Sequence, residues 1–272
     1  MPTLVVQLTD KLQRVYEVKP DTVIGRAPQC HVQLLSRAVS RRHARIEFDG
    51  VQAIISDLGT KNGIKLNGQR VDGAAVVADG DLVLVGDVTM RYRGPERTAG
   101  RADVIDLRGR APTPDDVARA CRPQARLALS ADPAAVQRFG ADVARQRIAQ
   151  LPFDEPVRLR LQIALKEALD NAVRHGAAGD PASSIGVAFA ESDDEFTMAV
   201  SDTGAGFDFE AALASVTEVD PFEAIRRRAE LGAPLGLRII LGCVDRLGFS
   251  ADGRTIHMGC LKPGAEVFVI SD

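Results

Sequence analysis

Cysteine is scarce in this chain: Cys30, Cys121, Cys243 and Cys260 are scattered through 272 residues without a C-x-x-C pair. That spacing argues against a metal site or a disulfide framework and fits a reducing compartment, with all four thiols structural or incidental. No apolar run is long enough to span a bilayer and residues 1–10 carry no basic leader, so a cytoplasmic protein is expected. An excess of either charge is also missing, since 34 basic residues face 37 acidic ones for a net charge of -3. That balance gives no reason to expect a nucleic acid or a membrane surface as partner, and any such role would have to rest on local patches. The length suits two domains, each able to bury a core without cross-links.

Between residues 4 and 92, short runs of alternating apolar residues are broken by turns, and no useful helical period appears. Asn62-Gly63, Asn67-Gly68 and Asp79-Gly80 supply the positive φ that tight turns need. An all-β sandwich is predicted. Its informative polar residues fall in three loops: Ile24-Gly25-Arg26, the V-S-R-R-H-A-R-I run over 39–46, and D-L-G-T-K-N-G over 57–63. A phosphorylated threonine brings about -1.5 to -2 charges and three acceptor oxygens, which call for guanidinium, hydroxyl and backbone donors. Arg26, Ser40, Arg41 and Thr60 are the right chemical types. With G-R, S-R-x-H and N-G in this order, residues 1–94 resemble a forkhead-associated (FHA) domain, a phosphothreonine-binding sandwich. The resemblance implies that Arg26 and Ser40 hold the phosphate, with Arg41 assisting. It also implies that Asn62 hydrogen-bonds the ligand's main chain and that His43 braces the loops from behind. Lys61 stands where that family often has a small hydroxyl residue.

Residues 95–124 gather Pro95, Pro112, Pro114 and Pro123 with Gly100 and Gly109 among charges, and read as a linker with a short helix over 114–120. Thr113, followed by Pro114-Asp115-Asp116, is a candidate phosphorylation site for a phosphothreonine reader in the same chain or a second copy.

Beyond it, 126–130 reads as a strand and 133–149 as a helix, and Asp154-Glu155-Pro156 starts a helix over 157–175 that Gly176 stops. Two alternating strands, 184–190 and 195–201, and a closing strand over 253–261 complete an α+β sandwich of one sheet against helices. On the 157–175 helix, Leu161, Leu165, Ala168, Leu169 and Ala172 share one side, while Glu167 and Asn171 stack nearly opposite. Alone, those two describe a solvated face. They do not stand alone, because Asp202-Thr203-Gly204-Ala205-Gly206 ends the second strand and Leu235-Gly236-Leu237 leads into an apolar helix over 238–247.

Together these runs resemble the GHKL ATPases over residues 125–272, and among them the small bacterial anti-sigma-factor serine kinases. The stretch 167–171 matches the N box, 202–206 the G1 box, and Gly236 with Leu237 the G2 box. Asp202 at a strand end can accept from the adenine amine, and Gly204 and Gly206 let backbone turn sharply against a nucleotide. Asn171 can offer an amide oxygen to Mg²⁺. Glu167, one turn earlier, is placed to take the proton of an attacking hydroxyl. Pro234 departs from the pattern, standing where the family usually has glycine; it has no N–H for a phosphate, and its fixed φ limits a lid expected over 207–233. Within that lid, Arg226-Arg227-Arg228 reads as an exposed helix face.

The resemblance implies an ATP- and Mg²⁺-dependent serine/threonine kinase that acts on a small anti-anti-sigma (STAS-like) protein and is steered by phosphothreonine. A sigma factor would be a second partner, and a homodimer is compatible with the family. The alternative, kept open by Pro234, is a nucleotide-binding phosphopeptide adaptor with weak or no turnover. A sensor histidine kinase is disfavoured, because no helix hairpin carries a phospho-accepting histidine.

Overall fold

Period-two alternation builds the first unit. The structure, a computed structural model, describes residues 1–95, 104–177, 180–208 and 235–265, and its two units divide between residues 99 and 100. In the first, one sheet contains β1 (Thr3–Gln7), β2 (Leu12–Glu17), β7 (Ile64–Leu66), β8 (Gln69–Arg70), β10 (Leu82–Val85) and β11 (Val88–Arg93), in the order β2-β1-β11-β10-β7-β8. The second contains β3 (Asp21–Gly25), β4 (Val32–Gln33), β5 (Ala44–Phe48), β6 (Ala53–Asp57) and β9 (Ala74–Val77), in the order β4-β3-β5-β6-β9. Their inward residues, among them Leu4, Ile24, Ile46, Ile55, Val83 and Met90, are all fully buried in one apolar cluster. Each such side chain contributes roughly 1.5–3 kcal/mol. This core fixes the strand ends, so the loops between them can hold polar groups without moving. The expected sandwich is what forms.

The second unit carries one sheet, in the order β12-β13-β14-β15-β17-β16. Its strands are β12 (Val104–Asp106), β13 (Gln124–Ser130), β14 (Ser184–Glu191), β15 (Glu195–Ser201), β16 (Arg246–Ser250) and β17 (Thr255–Leu261). Only the β12–β13 pair is parallel; the other neighbours run antiparallel. The helical layer contains α1 (Pro114–Ala120), α2 (Pro133–Phe139), α3 (Arg145–Ala149), α4 (Glu155–Asn171) and α5 (Leu235–Cys243). α4 packs on β15, β17 and α5. Buried Leu161, Ala164 and Leu165 of α4 belong to a core shared with Val187, Phe189, Phe196 and Met198. Phe189 stacks on Phe139 and Phe196, with centroids 6.4 and 6.0 Å away. This is the mixed layer of helices on a sheet that the sequence predicts.

Three expectations need correcting. Besides the short helix expected over 114–120, which forms as α1, the stretch expected to be a linker holds β12, which pairs with β13. Pro114 opens α1 and Pro123 immediately precedes β13. The helix expected over 238–247 spans Leu235–Cys243 instead, because Asp245 leaves the helix to bond β17: its N–H donates to Gly259, and its carboxylate accepts from the Leu261 N–H at 2.8 Å. Finally, both long helices contain a wide i→i+5 turn, at Gly140–Ala144 and Ala172–Gly176, that side-chain periodicity does not announce.

Candidate functional site

In the first unit, three loops are stapled to one another by backbone and side-chain hydrogen bonds. The Arg26 N–H donates to the Ser40 carbonyl at 2.9 Å, and Arg26 Nε donates to Val39 at 3.3 Å. Asn62 Nδ2 donates to the Ala38 carbonyl at 2.8 Å. His43 is wholly buried beneath them. Its Nδ1 accepts from the Ser40 N–H at 3.0 Å, which leaves Nε2 to carry the proton and donate to Gly63 O, also at 3.0 Å. His43 thus braces two loops without reaching the surface, as the resemblance implies.

Gly25 is glycine for a steric reason: a Cβ there would run into the Arg41 carbonyl and stand 2.9 Å from Arg42 Cα. Only a bare Cα lets the 40–42 loop cross so closely. The result sets Arg26, Ser40, Arg41 and Asn62 around one rim, with the Arg26, Arg41 and Asn62 side chains exposed and Ser40 half-buried. Thr60 differs from its expected part. Its hydroxyl donates to Asp57 Oδ1 at 2.6 Å and accepts from the Gly63 N–H at 3.2 Å, so its one proton already holds the loop. Thr60 shapes the rim rather than offering a donor to an anion.

In the second unit, Glu167 and Asn171 do share an edge of α4, but it is not a solvated face. Glu167 is only 5% exposed and Asn171 is half-buried. Gly236, in the first turn of α5, lies over both: a Cβ on it would stand 3.3 Å from Glu167 Oε2 and 3.3 Å from each terminal atom of Asn171. A buried carboxylate, a carboxamide one turn on and a side-chain-free helix start therefore converge at one point. Leu237, by contrast, is buried in the helical layer and presents no open surface.

The D-x-G-x-G loop meets the same helix one turn further along. A Cβ on Gly176 would overlap the Asp202 carboxyl, and one on Gly204 would overlap the Gly176 carbonyl. Asp202 Oδ1 accepts from the Gly204 N–H at 2.8 Å, while Oδ2 takes no hydrogen bond from a described residue. Gly206 sits at φ +90° with the Asp252 carbonyl where its Cβ would be, and the Phe207 N–H donates to Gly253 O at 3.1 Å. So the room left by Gly204 and Gly206 is filled by protein backbone, and these glycines seat the loop against α4 and the β16–β17 turn. Any ligand they touch meets their backbone alone. Sequence spacing gives Gly176 only the part of a helix stop, yet its missing side chain is what allows Asp202 its place. Pro234, Arg226, Arg227, Arg228 and most of the expected lid lie outside the described residues.

Among the described residues, no group of three or more His, Cys, Asp or Glu side chains could hold a metal ion. No helix there is long and apolar enough to cross a membrane. Thr113 caps α1: its hydroxyl donates to Asp116 Oδ2 at 2.8 Å, and it accepts from the Asp116 N–H at 3.3 Å. A phosphate on that oxygen would break the pair and face the Asp116 carboxylate. Arg110 grips the same carboxylate at 2.6 Å and, as the largest influence, holds its pKa well below the usual range.

Comparison with known proteins agrees with this division. Residues 22–86 match the FHA domain family, and residues 129–260 match the family described as histidine kinase-like ATPase domain. The glycogen accumulation regulator GarA of Mycolicibacterium smegmatis is 40% identical over 79 residues, which is 29% of this chain and 49% of GarA. The FHA domain-containing protein FhaA of Mycobacterium tuberculosis is 34% identical over 85 residues, 31% of this chain and 16% of FhaA. The chain thus spans half or less of these relatives' own lengths. The crystal structure of the FhaA FHA domain in complex with an intracellular domain is 31% identical, with a TM-score of 0.32, over 34% of this chain and 100% of that one.

Proposed function

We propose, from the premise that this chain joins an FHA domain to a histidine kinase-like ATPase domain, that it is a bacterial signalling protein that reads phosphothreonine through its first unit. Its second unit transfers phosphate from ATP to a serine or threonine of a small anti-anti-sigma (STAS-like) protein, with a sigma factor as a further partner. The observation that carries the enzymatic half is the meeting of Glu167, Asn171 and Gly236 at one edge of α4. A helix start without a side chain, 3.3 Å from a buried carboxylate and a carboxamide, leaves a cradle that a single Cβ would fill.

Bound MgATP supplies the phosphoryl group and the charge neutralisation its transfer requires. Asn171 offers one neutral oxygen to the ion, so most of a hard cation's shell would be water and phosphate. Asp202 Oδ2 would accept from the adenine amine, its carboxylate steadied by Gly204 and wedged against Gly176. Glu167, held away from bulk water, takes the proton from the attacking hydroxyl. In the first unit, Arg26, Arg41 and Ser40 bind the phosphate by charge-assisted hydrogen bonds while Asn62 holds the peptide main chain.

Label transfer from ATP to an anti-anti-sigma protein of the same genome tests the enzymatic half, with Glu167→Ala as control. Transfer should fall by at least about a hundredfold in that variant. Equal labelling with and without Glu167 would reject it as the base, and no affinity for MgATP would leave a phosphopeptide adaptor. Arg26→Ala should abolish phosphothreonine-peptide binding without loss of fold, and unchanged affinity would mean that the pocket lies elsewhere.

A further inference from the structure

Most arginines of this protein with described contacts are matched by carboxylates. Arg45 meets Asp21 at 2.8 Å, Arg108 meets Asp106 at 2.7 Å, Arg147 meets Glu191 at 2.7 Å and Arg246 meets Glu195 at 3.0 Å. The rim of the first unit is different. Arg37, Arg41, Lys61, Lys65 and Arg70 are all exposed, and none makes a side-chain hydrogen bond or ion pair with a described residue.

The stapling bonds place these cations around the same loops. Arg37 precedes Ala38 and Lys61 precedes Asn62, the two residues joined by the 2.8 Å bond. Arg41 is held by its carbonyl, which accepts from the Ala27 N–H at 3.0 Å. Arg70 lies against the third loop, its Nη2 3.2 Å from where a Cβ of Gly63 would be. Lys65 faces Arg70 directly across the β7–β8 ladder. Like charges opposite one another in a ladder destabilise it. Of the carboxylates beside these loops, Asp57 is engaged by Thr60, and Asp87 stands exposed next to Gly86, whose Cβ would contact Ala38. Besides Arg41, which the phosphate engages, four cations face the exposed carboxylates Asp72, two residues beyond Arg70, and Asp87, a positive excess in a chain whose net charge is -3.

We propose that this rim selects an acidic phosphothreonine segment, one carrying aspartate or glutamate within a few residues of the phosphorylated threonine. The inference rests on the phosphothreonine reading above and adds the class of partner. The phosphate is held by Arg26, Arg41 and Ser40, and the flanking carboxylates meet Arg37, Lys61, Lys65 and Arg70, which make no side-chain ion pair with a described residue. A ligand carboxylate near Lys65 and Arg70 would offset the repulsion between their like charges.

The test is fluorescence anisotropy of the full chain with three labelled peptides: an aspartate-flanked phosphothreonine peptide, its asparagine-flanked counterpart, and the aspartate peptide without phosphate. At about 50 mM salt the acidic phosphopeptide should bind about tenfold tighter than the asparagine form, narrowing to about twofold near 0.5 M. Lys65→Gln and Arg70→Gln should each remove about threefold of that preference, weaken the asparagine peptide less than the acidic one, and keep or raise the melting temperature. Equal affinity for the two phosphopeptides, with the unphosphorylated one rejected, overturns this inference alone. Equal binding with and without phosphate overturns the phosphothreonine reading and the inference with it. Displacement of the phosphopeptide by a single-stranded oligonucleotide at equal concentration would also overturn the assignment to a peptide.

Discussion

His257 on β17 is a residue whose environment sets a measurable pH response. Its partners across the ladder, Ala199 and Gly248, bring no charge to the imidazole. Burial pulls its pKa down to about 4 from an ordinary 6.5. The unfolded chain therefore binds the proton first: stability is intact above about pH 6.5 and is lost as the pH falls through the window down to about 4. Replacing His257 with Gln should flatten the melting temperature between those two values, and an unaltered acid profile in thermal melts would count against the assignment. Lower still, Asp116 contributes in the ordinary carboxylate sense, with stability present above about 3.8 and lost as its bond to Arg110 is protonated away.

At the scale of elements, the meeting of α4 and α5 is the feature on which the proposed phosphoryl transfer depends. Gly236→Ala places a methyl 3.3 Å from Glu167 and Asn171, so both must yield by a few tenths of an ångström. Alanine is also favoured over glycine in a helix by about 1 kcal/mol, which offsets the crowding. The melting temperature should stay nearly constant while phosphoryl transfer falls at least about tenfold, since small displacements of reacting groups are costly. Full activity in this variant, measured by label transfer beside a melting curve, would mean that chemistry happens away from this edge. The wide turn at Ala172–Gly176 belongs to the same arrangement: the Ala177 N–H donates to Ala172 O at 2.8 Å, and Gly176 then meets Asp202. Nothing in the spacing of 163–176 distinguishes this turn from a regular helix.

On the scale of the whole molecule, the first unit has its own buried cluster, from Leu4 to Tyr92, drawn from both of its sheets. A fragment of residues 1–99 should therefore melt cooperatively and bind a phosphothreonine peptide with the affinity of the full chain. A lost near-UV signal beside an intact far-UV one, or a loss of binding above about tenfold, would show that the second unit is needed to hold the loops. Alternation and turn dipeptides determined the sandwich, because a period of two needs no distant partner to be read. Glu167, Asn171, Asp202 and Gly236 were visible as types and spacings. What the chain alone left open was environment. Glu167 could have faced water; α5 covers it. Gly204 and Gly206 could have made room for a ligand; carbonyls of Gly176 and Asp252 take that room. The proline-rich segment before β13 could have been a tether; pairing by β12 and the Thr113 cap make it structure. Local pattern decides which residues can form an element. Which atoms fill the space beside a glycine or a carboxylate is set by segments far away in sequence, and only packing brings those together.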